Sequence, residues 1–117
     1  MIQFFHWYSD GNSQLYQQIK DSAQYLNEVG ISAVWFPPAY KSAGGGYSVG
    51  YDPYDLYDLG EFDQKGTVPT KYGTKDQYID SCKVLQDHGI SVIADIVLNH
   101  KAGGDELEKF HAVKVNP

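Results

Sequence analysis

The stretch ADIVLNH, Ala94 to His100, carries an aspartate inside an apolar run and ends in Asn-His. These side chains have distinct chemical uses. A carboxylate such as Asp95 accepts hydrogen bonds, the Asn99 carbonyl oxygen suits a hard cation, and the His100 ring can donate to a hydroxyl. In a regular strand, Asp95 and Asn99 would share one face and His100 would lie on the other. For both end residues to reach neighbouring sites, the chain must bend after Leu98.

Other elements must place this strand, and the first half of the chain supplies three of them. An aromatic run predicts a strand over Ile2–Tyr8, before the turn SDGN. A helix is predicted next, ending at Gly30, since glycine tolerates the left-handed conformation. The strand Ile31–Phe36 follows and stops at two prolines. The helical face is predicted from apolar residues spaced by three and four: Leu15, Ile19, Ala23, Leu26 and Val29.

The second half repeats this plan. Thr74 and Gln77 form a predicted capping box, in which each side chain bonds the other residue's backbone N–H. Gly89 ends the helix, and ISVIADIVL is the next strand. The predicted helical face is Ile79, Cys82 and Leu85. Apolar strands without clean alternation are typical of a parallel sheet covered on both faces. The fold class is therefore predicted to be α/β.

A long connection, residues 37–73, joins the two halves. It contains three consecutive glycines and six tyrosines: Tyr40, Tyr47, Tyr51, Tyr54, Tyr57 and Tyr72. A loop of this length in a compact domain is usually functional or disordered, and its aromatic content argues against disorder. It also leaves the carboxyl end of a strand, where α/β folds bind their ligands. Asp52, Asp55 and Asp58 are interpreted as turn residues within it.

Composition limits the function. The 117 residues predict one domain, and 42% of them are hydrophobic, enough for a core. The formal net charge of -6 argues against a nucleic-acid partner, and no apolar run is long enough to cross a membrane. The single cysteine, Cys82, excludes an internal disulfide. No signal peptide is visible, which weakly favours the cytoplasm, although a secreted protein without its signal would look the same.

Three strands and two helices leave sheet edges unpaired, and a closed eight-stranded β/α barrel takes about 250 residues. The chain is therefore predicted to be the beginning of such a barrel. The sequence also closely resembles the α-amylases of glycoside hydrolase family 13, of the bacterial liquefying and cytoplasmic type. The resemblance rests on GYDPYDLYDLGEFDQKGTVPTKYGT and ADIVLNHKAGGDE, with FFHWY and GISAVWFPPAYK in agreement.

The resemblance implies a fold, an activity and a metal. The fold is the first three strands of a (β/α)8 TIM barrel in residues 1–100, with the start of a protruding domain in residues 101–117. The activity is retaining hydrolysis of α-1,4-glucosidic bonds in starch and related α-glucans. The metal is a structural Ca²⁺. The missing remainder of the barrel would be the partner of this segment.

The resemblance also implies roles for single residues. Asn99 matches the asparagine that binds calcium, and His100 matches the histidine that hydrogen-bonds the sugar where the bond is cleaved. Tyr51 matches the tyrosine that stacks on the same sugar, and Asp95 matches an aspartate that supports the site by hydrogen bonding. Trp7 could line the cleft. The residues alone also allow simpler roles: a loop cap, a backbone-satisfied histidine, loop packing for Tyr51 and core packing for Trp7.

No catalytic carboxylate is predicted in this chain. Retaining hydrolysis needs two carboxyl groups about 5 Å apart. The family carries its nucleophile, acid and stabilising aspartate on or after later strands. We therefore expect the chain to be inactive alone. The alternatives are a non-catalytic glucan-binding α/β module, a small independent α/β domain, and one half of a split enzyme.

Overall fold

The structure is a computed structural model that describes residues 1–117. Its strands and helices follow in the order β1 (Ile2–Gln3), α1 (Leu15–Glu28), β2 (Ala33–Trp35), β3 (Lys41–Ser42), β4 (Pro53–Asp55), α2 (Lys75–Asp87) and β5 (Ser91–Ile93). A single 3₁₀ turn, Gly45–Tyr47, lies between β3 and β4. No helix is long and apolar enough to cross a membrane.

The main sheet has three parallel strands in the order β1-β2-β5. Val34, at its centre, lies opposite Ile2 on one side and Val92 on the other. The parallel α/β prediction is confirmed. The sheet is open, with β1 and β5 each paired on one side only. The predicted strands are longer than the observed ones, because regular pairing is limited by the three-residue central strand.

Both helices end in the same way, as their glycines predict. Gly30 has φ +85° and Gly89 has φ +72°. The following N–H groups reach back five residues, from Ile31 to Leu26 and from Ile90 to Leu85, each at 2.9 Å. These hydrogen bonds provide donors for carbonyl groups at the end of each helix, and the chain then continues into the next strand. At the other end of α2, the predicted Thr74 capping box is present.

The core lies between the sheet and the two helices. Its nine buried residues are Tyr16, Ile19, Ala23, Leu26, Val34, Phe36, Tyr72, Leu85 and Ile90. Two predictions of the helical faces are wrong, since Val29 is 54% exposed and Ile79 is 50% exposed. The α1 face is instead centred on Tyr16, whose ring packs against Phe36 and Tyr78 at centroid distances of 6.1 and 5.2 Å.

A buried ion pair organises the long connection. The Lys41 and Asp58 side chains are both fully buried, with Nζ 3.5 Å from Oδ2. The ammonium also donates to the carbonyls of Phe62, Thr67 and Val68 at 2.6 to 2.9 Å. These four partners compensate a charge that is costly to remove from water. The turn interpretation of Asp58 was therefore incomplete, because the residue is also the counter-ion of a buried lysine.

The Asp58 carboxylate also caps the turn that follows it. Oδ1 accepts the backbone N–H groups of Gly60, Glu61 and Phe62 at 2.9 to 3.3 Å. Burial by itself raises the pKa of a carboxyl, but these donors and the Gln64 amide favour the charged form. The pKa of Asp58 is therefore lowered, so its carboxylate stays ionised at neutral pH.

Replacing Lys41 with Met should destabilise the chain by about 3–5 kcal/mol, because it leaves the Asp58 charge buried without its counter-ion. Urea unfolding followed by circular dichroism measures this change. Lys20→Met is the matched control, since Lys20 forms a solvent-exposed pair with Asp80. Equal unfolding midpoints for the two variants would contradict a structural role for the buried pair.

Candidate functional site

The candidate site lies beyond the carboxyl ends of the parallel strands, with the Asp95 carboxylate at its centre. Oδ2 accepts a hydrogen bond from the Tyr51 hydroxyl at 2.7 Å and from Trp35 Nε1 at 3.1 Å. Trp35 ends β2, Tyr51 belongs to the long connection, and Asp95 follows β5 by two residues. One carboxylate therefore joins two strands and the loop between them.

Tyr51 presents an aromatic ring in a fixed orientation. The indole of Trp7 lies nearly parallel to it, with ring centroids 6.4 Å apart and planes at 7°. Burial, and then the hydrogen bond to Asp95, raise the pKa of Tyr51 well above its usual value. The hydroxyl thus stays protonated and donates to Asp95. Trp7 is 62% exposed, so it is not a core residue.

His100 contacts the backbone of Tyr51, and Asn99 contacts the His100 ring. His100 Nε2 lies 2.8 Å from the Tyr51 carbonyl oxygen, which can only accept, so Nε2 is the donor. Nδ1 lies 3.2 Å from Asn99 Nδ2 and accepts from it. Both ring nitrogens are therefore oriented by neighbours. Tyr51 is bonded by Asp95 through its hydroxyl and by His100 through its carbonyl.

The predicted bend after Leu98 is present, as a backbone bend at Asn99. Regular strand pairing stops earlier, at Ile93. The Val97 N–H donates to the hydroxyl of buried Tyr40. Because the ladder ends before Asp95, the face assignment based on strand alternation does not apply. Asp95 and His100 both reach Tyr51 from this irregular segment.

The geometry tests whether the chain can hold calcium. The Asn99 amide nitrogen is engaged with His100, which leaves its carbonyl oxygen as a ligand of the right type. Calcium takes six to eight oxygens, however, and no group of three or more His, Cys, Asp or Glu side chains is placed to hold a metal. Asn99 would supply one of these oxygens.

Sequence reasoning missed two residues that hold the site, Trp35 and Tyr40. Trp35 lies in an apolar run, and Phe5 packs edge-on against it at 5.6 Å. The available signal was its indole N–H, which usually finds a partner when buried. Tyr40 was counted among the loop tyrosines without a role. Their partners lie about 60 residues away along the chain, so no local pattern joins them.

The arrangement is suited to binding a neutral ring that bears hydroxyl groups. It offers the stacked, parallel rings of Trp7 and Tyr51 with a histidine beside them. Oδ2 of Asp95 already accepts two hydrogen bonds, one from Tyr51 and one from Trp35. Among residues 1–117, Asp95 is the carboxylate that hydrogen-bonds to Tyr51.

Replacing Asp95 with Asn should lower the pKa of Tyr51, because removing the negative neighbour makes the phenol easier to deprotonate. Burial remains, so the value should stay above the ordinary value of about 10. A ¹³C NMR titration of the tyrosine Cζ atoms measures both. Asp105→Asn is the matched control: it should lower the pKa of Tyr54, which Asp105 raises, and leave Tyr51 unchanged. An unchanged Tyr51 pKa in Asp95→Asn would contradict the contact.

Proteins of similar sequence include two described as alpha-amylases. The chain is 51% identical to a cytoplasmic alpha-amylase of Escherichia coli over 116 residues, which is 99% of this chain and 23% of that protein. It is 49% identical to an alpha-amylase of Bacillus licheniformis over 117 residues, again 23% of that protein. The chain thus spans about a quarter of the length of these relatives.

A solved structure of similar fold is a truncated alternansucrase from Leuconostoc mesenteroides. The TM-score is 0.67 and the identity 29%, over 80% of this chain and 9% of that one. A sequence profile of the family described as alpha amylase, catalytic domain, matches residues 9–116. Since that match covers nearly the whole chain, the chain belongs to the α-amylase catalytic-domain family.

Proposed function

We propose that this chain forms the first part of the catalytic barrel of an α-amylase, where it binds α-glucan and supplies no catalytic acid. The observation that carries the proposal is the pairing of Trp7 and Tyr51, with Asp95 and His100 bonded to Tyr51. In this assignment the whole protein hydrolyses α-1,4-glucosidic bonds with retention. The chain by itself is inactive.

Tyr51 and His100 have the central roles in binding. A sugar ring has an apolar face that packs on an aromatic ring, and its hydroxyls take the hydrogen bonds at the edge. Tyr51 supplies the ring, and His100 Nε2 exchanges the Tyr51 carbonyl for a sugar hydroxyl. Asp95 is a positioning residue, because it fixes the Tyr51 hydroxyl without reaching the sugar. Trp7 widens the aromatic surface and faces solvent.

The open sheet supports a larger assembly. β1 and β5 each leave one row of backbone N–H and C=O groups unpaired, and such edges are normally covered or closed into a barrel. In the proposed enzyme, the remaining barrel strands pair with both edges. The calcium ligands that Asn99 lacks come from the same remainder, together with the nucleophile and the acid. Residues 101–117 begin the protruding domain.

The rival function is a glucan-binding module without hydrolysis. The exposed Trp7 favours it, because an aromatic ring open to solvent suits carbohydrate stacking without chemistry. The two functions differ in one respect: only the first requires that this segment work within a complete catalytic barrel.

A chimera separates these functions. In it, this chain replaces the aligned 23% of the Escherichia coli α-amylase. The chimera should hydrolyse soluble starch, while the 117-residue chain alone should not, as measured by release of reducing ends. Tyr51→Ala in the chimera should lower kcat/KM at least about tenfold, or ~1.4 kcal/mol of transition-state stabilisation. The variant removes both the stacking ring and the hydroxyl that donates to Asp95.

Tyr57→Ala is the matched control, because Tyr57 is 90% exposed and belongs to the same connection. It should hydrolyse starch like the parent chimera. Hydrolysis by the pure 117-residue chain would refute the assignment of the acids to the remainder of the barrel. Equal kcat/KM for the Tyr51 and Tyr57 variants would refute the binding role of Tyr51.

A further inference from the structure

Residues 100–105 lie beside residues 51–54 and run in the same direction. Three hydrogen bonds of 2.8 Å join the two segments, in the same order along both: His100 to Tyr51, Ala102 to Pro53, and Tyr54 to Asp105. The first residue of each pair is the donor. Because the two segments share one register, the contacts at residues 102 and 105 help to fix where His100 lies.

Lys65 completes the attachment of this segment. Its Nζ donates to the Gly103 carbonyl at 2.8 Å and lies 4.0 Å from Asp105 Oδ1. The same ammonium lies 4.2 Å from the centroid of the Tyr54 ring, whose face attracts a cation. The Lys65 side chain is only 26% exposed, so solvent and salt screen these contacts less than they would on an open surface. Tyr54, Lys65 and Asp105 are together called the clamp.

Close packing at one glycine shows how tightly the clamped segment is held. Gly103 has φ +70°, and a Cβ there would lie 2.7 Å from the Cβ of Ala43, which directly follows β3. A larger residue is therefore excluded at this position by both the backbone and its neighbour. The next residue differs, since a Cβ on Gly104 would meet only the Glu106 carbonyl oxygen, at 3.8 Å.

His100 lies between two anchors and depends on both. The residue is exposed and follows the last strand. On its upstream side, the Val97 N–H donates to the Tyr40 hydroxyl. On its downstream side, the anchor is Ala102, two residues later, at the start of the clamped segment. The position of the imidazole is therefore set by the backbone on both sides as well as by its own hydrogen bond.

We infer that the clamp positions His100, with Lys65 and Asp105 as positioning residues. In the proposed function, His100 Nε2 leaves the Tyr51 carbonyl to bind a sugar hydroxyl. The ring then loses its own contact with Tyr51, and the clamped backbone keeps it in place. The consequence for sugar binding rests on the proposed function. The effect of the clamp on the free His100 ring does not.

NMR of the 117-residue chain tests the clamp without substrate. With the imidazole neutral, the His100 Nε2–H donates to Tyr51 and should be protected from exchange with water. Asp105→Ala and Gly103→Ala should each speed this exchange about two- to fivefold, because the downstream anchor is lost. Gly104→Ala is the matched control and should exchange like the parent chain.

The amide signals of Val34 and Leu85, which belong to the core, show whether each variant keeps the fold. With the core signals retained, an unchanged exchange rate in both Asp105→Ala and Gly103→Ala would overturn the inference. An increase of the same size in Gly104→Ala would overturn it as well.

The chimera tests the consequence for the reaction. Lys65→Met should lower kcat/KM for maltoheptaose about two- to fivefold, and Lys65→Arg should restore most of it, since the cation is retained. Lys75→Met is the matched control, because Lys75 pairs with Glu61 at 2.8 Å away from the clamp. It should hydrolyse maltoheptaose like the parent chimera.

The outcomes separate the clamp from the proposed function. A loss in Lys65→Met that arginine does not restore would overturn the role of the cation in the clamp. Faster exchange at His100 with unchanged hydrolysis would support the clamp and contradict the proposed contact between His100 and sugar. An inactive parent chimera would contradict the proposed function, and the exchange rates of His100 would still decide whether the clamp positions it.

Discussion

The buried ammonium of Lys41 is the constraint on which the site-bearing connection depends. A charge with no access to water requires compensation, and here three carbonyls and the Asp58 carboxylate supply it. All four partners lie within residues 58–68, so this part of the connection is fixed against β3. The segment with Tyr51 lies between these anchored ends. A loop of this length is thereby ordered without a core of its own.

Asp95 connects this ordered loop to the main sheet at the candidate site. Its carboxylate accepts from Trp35 in the central strand and from Tyr51 in the loop, so the sheet and the loop share one acceptor. An acid used in this way positions other groups. His100 bonds to the Tyr51 backbone from the same segment. The aromatic ring is therefore held at both its hydroxyl and its main chain.

The sequence predicted local features well and distant ones poorly. Thr74 and Gln77 are three residues apart, so the start of α2 could be identified from its capping box. The end of β5 at Ile93 depends on a partner strand and was placed too late. In the site, Tyr51 was found through the family resemblance of its motif. Trp35 was missed because its partner is 60 residues away and its own surroundings resemble a plain buried strand.

The most direct test of the account is a crystal structure of the chimera with maltohexaose, in a variant whose catalytic carboxylate has been removed. The account predicts a glucose ring packed on Tyr51 and a sugar hydroxyl about 2.7–3.2 Å from His100 Nε2. The Asp95 carboxylate should still accept from Tyr51 and make no contact with sugar. A glucan bound away from Tyr51, or one held directly by Asp95, would contradict the assignment of this chain to substrate binding.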